Sequence, residues 1–240
     1  MPGDAAGTPV VAMGAVRFTW PGKPRFSLSI DRFDVAKGER VLLVGPSGGG
    51  KSTLLSLLAG IVSPQTGHID VLGTNIAKLP GAARDRFRAE HFGIIFQMFN
   101  LLPYGTVTDN VLLPLSFSQQ RRANVAVNGT AADEAARLLQ RLGLPGDEIA
   151  RHRASSLSVG QQQRVAAARA LIGRPEIIVA DEPTSSLDRA RQKEFLDLLF
   201  EEIEAAGATL IMVSHDEALA GLFTRCVRLD DIAKIGWGAA

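Results

Sequence analysis

A single cysteine, Cys226, is all the thiol chemistry these 240 residues contain. It cannot close an intrachain disulfide, so a reducing compartment is the natural reading, with Cys226 as buried filler rather than a nucleophile. A dominant charge is missing too. Twenty-six Lys and Arg against 25 Asp and Glu leave a net charge of +1, which does not favour nucleic acid as a partner. No apolar run reaches the roughly 18 residues needed to cross a bilayer, and LLPLSF or TLIMVS are only strand-sized or core-sized. The opening MPGDAAGTPVVAMGAV has neither the basic start nor the continuous apolar stretch of a secretion signal, so export is not expected. Any membrane role has to come through a partner. What is there, 46% hydrophobic and 21% charged residues, describes a folded protein long enough for one large domain, or one domain with a subdomain.

Apolar and polar residues nearly alternate from Val16 to Val35 around Pro21 and Gly22, which predicts antiparallel strands. VLLVG, Val41 to Gly45, is a short continuous apolar run expected of a strand covered on both faces, and STLLSLLAG follows with helical spacing up to Gly60. GHIDVLG returns to strand alternation. From about Phe99 to Gly160, Pro103, Pro114 and Pro145 punctuate a helix-rich stretch, in which TAADEAARLLQRLG opens on a capping box, Thr130 and Asp133. QQRRANVAVNGT, Gln119 to Thr130, is expected to be a surface loop. Strand and helix then alternate again through EIIVADE, a helix from about Arg189 to Ala206 closed by Gly207, and ATLIMVSH.

GPSGGGKS, Gly45 to Ser52, fits the phosphate-binding pattern G-x-x-x-x-G-K-S/T with the required strand before it and helix after it. Its glycines let backbone N–H groups wrap phosphates, Lys51 brings positive charge to the terminal phosphates, and the Ser52 hydroxyl can ligate Mg²⁺. A turn that merely joins strand to helix would not need the Lys-Ser pair. IIVADE ends an apolar strand on Asp181 and Glu182, where parallel sheets present ligand-binding groups. Alone, such a pair is an ordinary polar strand end. Beside a phosphate loop it suggests Asp181 for Mg²⁺ and Glu182 for polarising the attacking water. His215 closes the next strand and can donate a hydrogen bond to a γ-phosphate, while Gln97 ends IIFQ and can offer an uncharged oxygen. LSVGQQQR, Leu157 to Arg164, precedes a helical segment and presents N–H groups to an anion.

The order of phosphate loop, Gln97, LSVGQQQR, ADE, SSLD and His215 resembles the ATP-binding subunit of ABC transporters over essentially the whole chain, and LSxGQ is that family's signature. The stretch FGIIFQMFNLLPYGTVTDNVLLPL is most similar to the branch of lipoprotein release, macrolide or peptide export and cell division. The resemblance implies an α/β phosphate-loop ATPase core with a mostly parallel sheet, an antiparallel β-subdomain and an inserted helical subdomain, in one domain over 1–240. The core with its β-subdomain would cover 1–96 and 163–240, and the helical subdomain about 97–162. It implies that adenine stacks on Trp20, with Phe18 the weaker candidate, and that Gly45, Ser47, Gly48, Gly50, Lys51, Ser52 and Thr53 hold ATP. Glu182, His215 and Gln97 become catalytic, and Ser52, Gln97 and Asp181 take Mg²⁺. Ser158, Gly160, Gln161 and Asp188 would reach the ATP of a second copy, so that two copies sandwich two ATP.

Val159 departs from the usual glycine of the signature. A valine there requires ordinary backbone angles and a side chain turned away from ATP. The resemblance further implies a transmembrane permease subunit as partner, received by a groove lined by Phe99, Leu101, Leu102 and Tyr104, although these side chains would serve equally as subdomain core. The expected place is cytoplasmic, on the inner face of the cell membrane, and the expected role is in an exporter or mechanotransmission complex. A solute-importer subunit is the alternative, and a soluble non-transport ATPase of this family a more distant one. Trp237 is either a contact residue or merely exposed.

Overall fold

The computed structural model describes residues 8–20, 26–127, 129–144 and 147–237. Two compact units emerge, Met1–Asp85 with Ile211–Ala240, and Arg86–Leu210. The first opens with β1 (Val11–Thr19), β2 (Phe26–Val35), β3 (Arg40–Val44), α1 (Lys51–Leu58), β4 (Thr66–Val71) and β5 (Thr74–Asn75). Helix α2 (Gly81–His91) leads across the boundary. The second unit follows with β6 (Phe92–Ile95), α3 (Val107–Leu112), α4 (Gln119–Ala126), α5 (Ala131–Arg141), α6 (Asp147–Arg151), α7 (Val159–Leu171), β7 (Ile177–Asp181) and α8 (Arg189–Ala206). Strand β8 (Thr209–Ser214) returns the chain to the first unit, which closes with β9 (Arg225–Arg228), α9 (Leu229–Ile232) and β10 (Ala233–Trp237).

In the first unit five strands form an antiparallel sheet in the order β10-β2-β1-β4-β5. Strand β1 starts at Val11, earlier than the alternation suggests, because a bulge interrupts the period of two. Met13 and Val16 are both buried, Ala15 sits at φ 50°, and the register against β4 shifts between Gly14 and Arg17. One extra residue re-aims every side chain that follows it. Gly14 faces His68 across the pair, and a Cβ there would lie 2.2 Å from the imidazole ring, so glycine leaves the ring its present place over β1. The Pro21-Gly22 turn lies outside the described residues.

Strands β3 and β9 pair in parallel, Val41 with Arg225 through Val44 with Arg228, and Val41, Leu42, Leu43 and Val44 are all buried. Cys226 on β9 is exposed, which corrects the expectation of a buried thiol. Alternation explains it. Arg225 takes the inward register, donating Nε to Glu39 Oε1 at 2.6 Å with its guanidinium 5.9 Å over the Phe33 ring, and this turns its neighbour outward. Desolvation and the Glu217 carboxylate hold the thiol pKa above its ordinary value.

In the second unit β6 and β7 pair in parallel, Phe92 with Ile177 through Ile95 with Ala180. Helix α7 comes so close to β6 that a Cβ on Gly93 would lie 2.2 Å from the Ala170 carbonyl oxygen. Capping boxes start three helices: Thr106 with Asp109, Thr130 with Asp133, and Ser158 with Gln161. The stretch 119–126, expected as loop, is helix α4. Ser118 caps it, its Oγ accepting from Arg121 N–H at 3.1 Å. The polar run hides this because its inward anchor is a charge. Arg121 is 2% exposed and donates to three main-chain oxygens, of Ile172 at 2.9 Å, Phe92 at 3.3 Å and Ala170 at 2.7 Å. Two of those carbonyls end α7, where a cation complements the helix dipole. Burial lowers the Arg121 pKa to about 10. Among the described residues no helix is long and apolar enough to cross a membrane.

Candidate active site

The loop after β3 is shaped by glycine. Gly48 and Gly50 stand at φ 76° and 84°, values that residues with a Cβ adopt at a cost. A Cβ on Gly50 would also come within 3.2 Å of the Phe26 ring. Gly50 is the N-cap of α1 and offers no side-chain acceptor, which leaves the first N–H groups of the helix for an anion. Lys51 is 6% exposed, and its Nζ donates to the carbonyls of Gly45 at 2.9 Å and Pro46 at 3.1 Å. The ammonium is thus held at the loop mouth. Ser47 and Ser52 are exposed, whereas Thr53 is buried and its Oγ1 accepts from Trp20 Nε1 at 3.3 Å. Trp20 stands edge-on to Phe18, ring centroids 5.1 Å apart. Phe18 is 3% exposed and belongs to the core, which leaves half-buried Trp20 as the ring with surface to offer. His215 follows β8, is exposed, and shares with Gly45 and Pro46 a cavity of about 410 Å³. The outer wall of that cavity carries Arg228 and Glu217, paired at 3.0 Å.

The second unit holds the remaining residues. Because β6 and β7 are parallel and in register, Gln97 and Asp181 leave the same, carboxyl ends of neighbouring strands. Gln97 is exposed and Asp181 half-buried. Glu182 has φ 44°, a left-handed conformation that costs a non-glycine residue about 1–3 kcal/mol and gathers at functional sites. Its carbonyl accepts from Ser185 N–H at 3.2 Å, and the turn beyond is fixed by buried Thr184, whose Oγ1 accepts from Gln192 Nε2 at 2.9 Å. Asp188 caps α8, accepting from Arg191 N–H at 3.0 Å.

Ser158 caps α7. Its hydroxyl oxygen accepts from Gln161 N–H at 3.3 Å and keeps its own hydrogen for another acceptor, while Gln161 Oε1 accepts from Ser158 N–H at 2.9 Å. Val159 is the first residue of the helix, with φ in the ordinary range and its side chain 50% exposed. Gly160 has negative φ and room around it: the nearest atom to a Cβ there would be Leu187 Cδ2 at 3.9 Å.

Of the residues expected to line a groove, Phe99 is 7% exposed and belongs to the core. Leu101 and Leu102 are half-buried, and Tyr104 is 75% exposed beside Met98 at 80%. Local motifs do not reveal Arg169. It is 7% exposed, lies late in α7, and donates to the main-chain oxygens of Phe99 and of Asn100, the latter at 2.7 Å. The available signal was a lone charge inside VAAARALI, where every neighbour is small or aliphatic.

A strand, a glycine loop closed by a buried lysine, and a helix with an open N-terminus define a phosphate-loop nucleotide-binding protein. The family described as ABC transporter matches residues 28–185. The chain is 44% identical over 195 residues to the uncharacterized ABC transporter ATP-binding protein YbbA of Escherichia coli K12, covering 81% of this chain and 82% of that protein. It is 40% identical over 198 residues to the lipoprotein-releasing system ATP-binding protein LolD of Bacteroides fragilis, covering 82% and 88%. With the macrolide export ATP-binding/permease protein MacB of Chromobacterium violaceum it shares 42% over 201 residues, covering 82% of this chain and 29% of that protein. Among solved structures, the dimer of the bacterial ABC transporter cassette MJ0796 aligns with TM-score 0.77 at 31% identity, covering 91% of this chain and 93% of that one. The same cassette bound to ADP and Pi aligns at 0.75, with the same identity and coverage. The chain belongs to the ABC transporter family, as an ATP-binding subunit of the lipoprotein-release and macrolide-export type, and it is an ATPase.

Proposed function

We propose that two copies of this chain close head to tail around two ATP and drive a separate transmembrane permease of an exporter or mechanotransmission complex, of the lipoprotein, peptide or drug class. The observation that carries this reading is the setting of Gly160. Its own chain leaves space there, with Leu187 Cδ2 3.9 Å from where a Cβ would stand, and this room at the N-terminus of α7 is what the phosphate of a second copy would need to approach. The chain has one phosphate loop and one signature motif, and a two-fold pair completes both sites. The relatives are ATP-binding components of transport systems, and the MJ0796 cassette was solved as a dimer. Membrane attachment on the cytoplasmic side then comes through the permease. Residues 97–162, the helical subdomain, offer it exposed Met98 and Tyr104 beside half-buried Leu101 and Leu102.

In this reading Trp20 stacks on adenine. Gly45, Ser47, Gly48, Gly50, Ser52 and Thr53 wrap the phosphates, while Lys51 exchanges its two loop carbonyls for phosphate oxygens. Glu182 takes a proton from the attacking water as its oxygen bonds to the γ-phosphorus and the bond to ADP breaks. His215 and Gln97 orient the γ-phosphate and the water, and Ser158, Gly160, Gln161 and Asp188 close the site of the other copy. Ser52, Gln97 and Asp181 offer a hydroxyl, an amide carbonyl and a carboxylate, an all-oxygen set that suits Mg²⁺. When bound, Mg²⁺ offsets the charge on the phosphate oxygens.

Glu182→Gln is expected to bind ATP normally, lose hydrolysis by about 10²–10⁴-fold and elute as a dimer with ATP on a sizing column. Elution as a monomer under saturating ATP, with the wild type fully active, would sink the assignment.

A further inference from the structure

We propose, resting on the role of Gln97 given above, that Arg169 is a positioning residue: it fastens the end of the signature helix to the turn after Gln97, so that the two move as one piece. The two carbonyls that the Arg169 guanidinium holds belong to consecutive residues in left-handed conformations, Phe99 at φ 58°, costly for an aromatic residue, and Asn100 at φ 49°, which asparagine tolerates. The turn is closed by Phe99 N–H to the Phe96 carbonyl at 2.9 Å and Asn100 N–H to the Met98 carbonyl at 2.6 Å. Its far side is pinned by fully buried Asn110 of α3. Asn110 Oδ1 accepts from Leu102 N–H at 2.7 Å, and its Nδ2 donates to the carbonyls of Leu102 at 3.1 Å and Thr106 at 2.9 Å. Arg169 is therefore one of two anchors on this segment, and exposed Gln97 lies between that segment and β6.

A planar fork can hold two successive carbonyls in one geometry, which the single ammonium of lysine cannot reproduce. Helix α7 has 13 residues and so is roughly 20 Å long. Ser158 and Gly160 stand at its start and Arg169 in its last turn. A phosphate that pulls on the start of the helix is thereby felt at the turn beside Gln97. Burial lowers the Arg169 pKa, the cost of keeping a cation where an aliphatic side chain would pack, which argues that its hydrogen bonds matter.

The test is steady-state ATP hydrolysis by the purified full chain carrying Arg169→Lys, Gln97→Ala, or both. Arg169→Lys should lower kcat about tenfold, the loss of one charged hydrogen bond, with KM within about twofold. The double variant should be no slower than Gln97→Ala alone. Asn100→Gly, which loosens the held turn while leaving Arg169 in place, should lower kcat in the same direction and is the second variant if Arg169→Lys is unstable. Additive losses, or an unchanged kcat in Asn100→Gly, would overturn the proposal. A second readout does not need Gln97. Amide exchange at residues 98–102 should change when ATP is added to the wild type and stay unchanged in Arg169→Lys. If Gln97→Ala leaves kcat intact, the assigned role of Gln97 fails, and exchange alone decides on Arg169. An ATP response that is absent in the wild type, or equal in both proteins, refutes the coupling.

Discussion

The two units hold their functional loops in opposite ways. In the first unit the chain's own main chain does it: glycines in left-handed conformations shape the phosphate loop, Lys51 rests on loop carbonyls, and the start of α1 has no side-chain cap. In the second unit side chains do it. Ser158, Asp188, Thr106 and Thr130 cap helix starts, and Arg121 and Arg169 reach across to main-chain oxygens. The difference follows from what each must meet. In the proposed reading both α1 and α7 meet a phosphate at their starts, but α1 meets one held by its own loop and gains from open N–H groups, whereas α7 would meet one brought by a second copy and holds its shape beforehand through the Ser158 capping box.

The sharpest way to break this comparison is Lys51→Ala. ATP affinity should fall roughly 10- to 100-fold, the worth of a charge-assisted contact, with the urea midpoint barely changed; calorimetric titration with ATP checks it. Arg121→Met probes the other device. Three carbonyls lose their donor, and stability should drop by about 3 kcal/mol, read from urea unfolding. A loss below about 1 kcal/mol would mean that other donors take over.

Gln163 sharpens the contrast from the opposite side. It is fully buried on α7, and neither amide atom has a hydrogen-bond partner among the described residues. Gln163→Met should stabilise the isolated chain by about 1 kcal/mol, and a lower urea midpoint would contradict this. Smallest is the effect of acid on the capping boxes. The Thr106 and Thr130 hydroxyls and N–H groups hold the Asp109 and Asp133 carboxyls below their ordinary pKa of 3.8. A folded value below the unfolded one means a contribution present above pH 3.8 and lost as pH falls through the folded values. The double variant Asp109→Asn with Asp133→Asn should show a shallower fall of the urea midpoint in that range.

What the sequence disclosed follows the same division. Contiguous features were legible: the phosphate loop, the signature, the Thr130 capping box, and the helix from Arg189 to Ala206 closed by Gly207 at φ 64°. Features that depend on distant partners were not. Helix α4 passed for a loop because its buried anchor is Arg121, whose acceptors lie 29 to 51 residues away along the chain. The bulge at Gly14 and Ala15 broke the alternation that would have carried β1 back to Val11. Helix α2 has no buried side chain to give it a period, and β10 acquires its place from pairing with β2. Arg169 falls in the same class, since the strained turn it serves lies 69 and 70 residues earlier.

The outward-facing thiol of Cys226 has a practical side. With one such group per chain, a maleimide dye would mark one known place without any engineering, and a symmetric pair would carry two identical labels. Its raised pKa asks for mildly alkaline labelling. If two copies close around ATP as proposed, the distance between the two dyes would change with ATP binding and again on release, timing each turnover with a residue the chain already has.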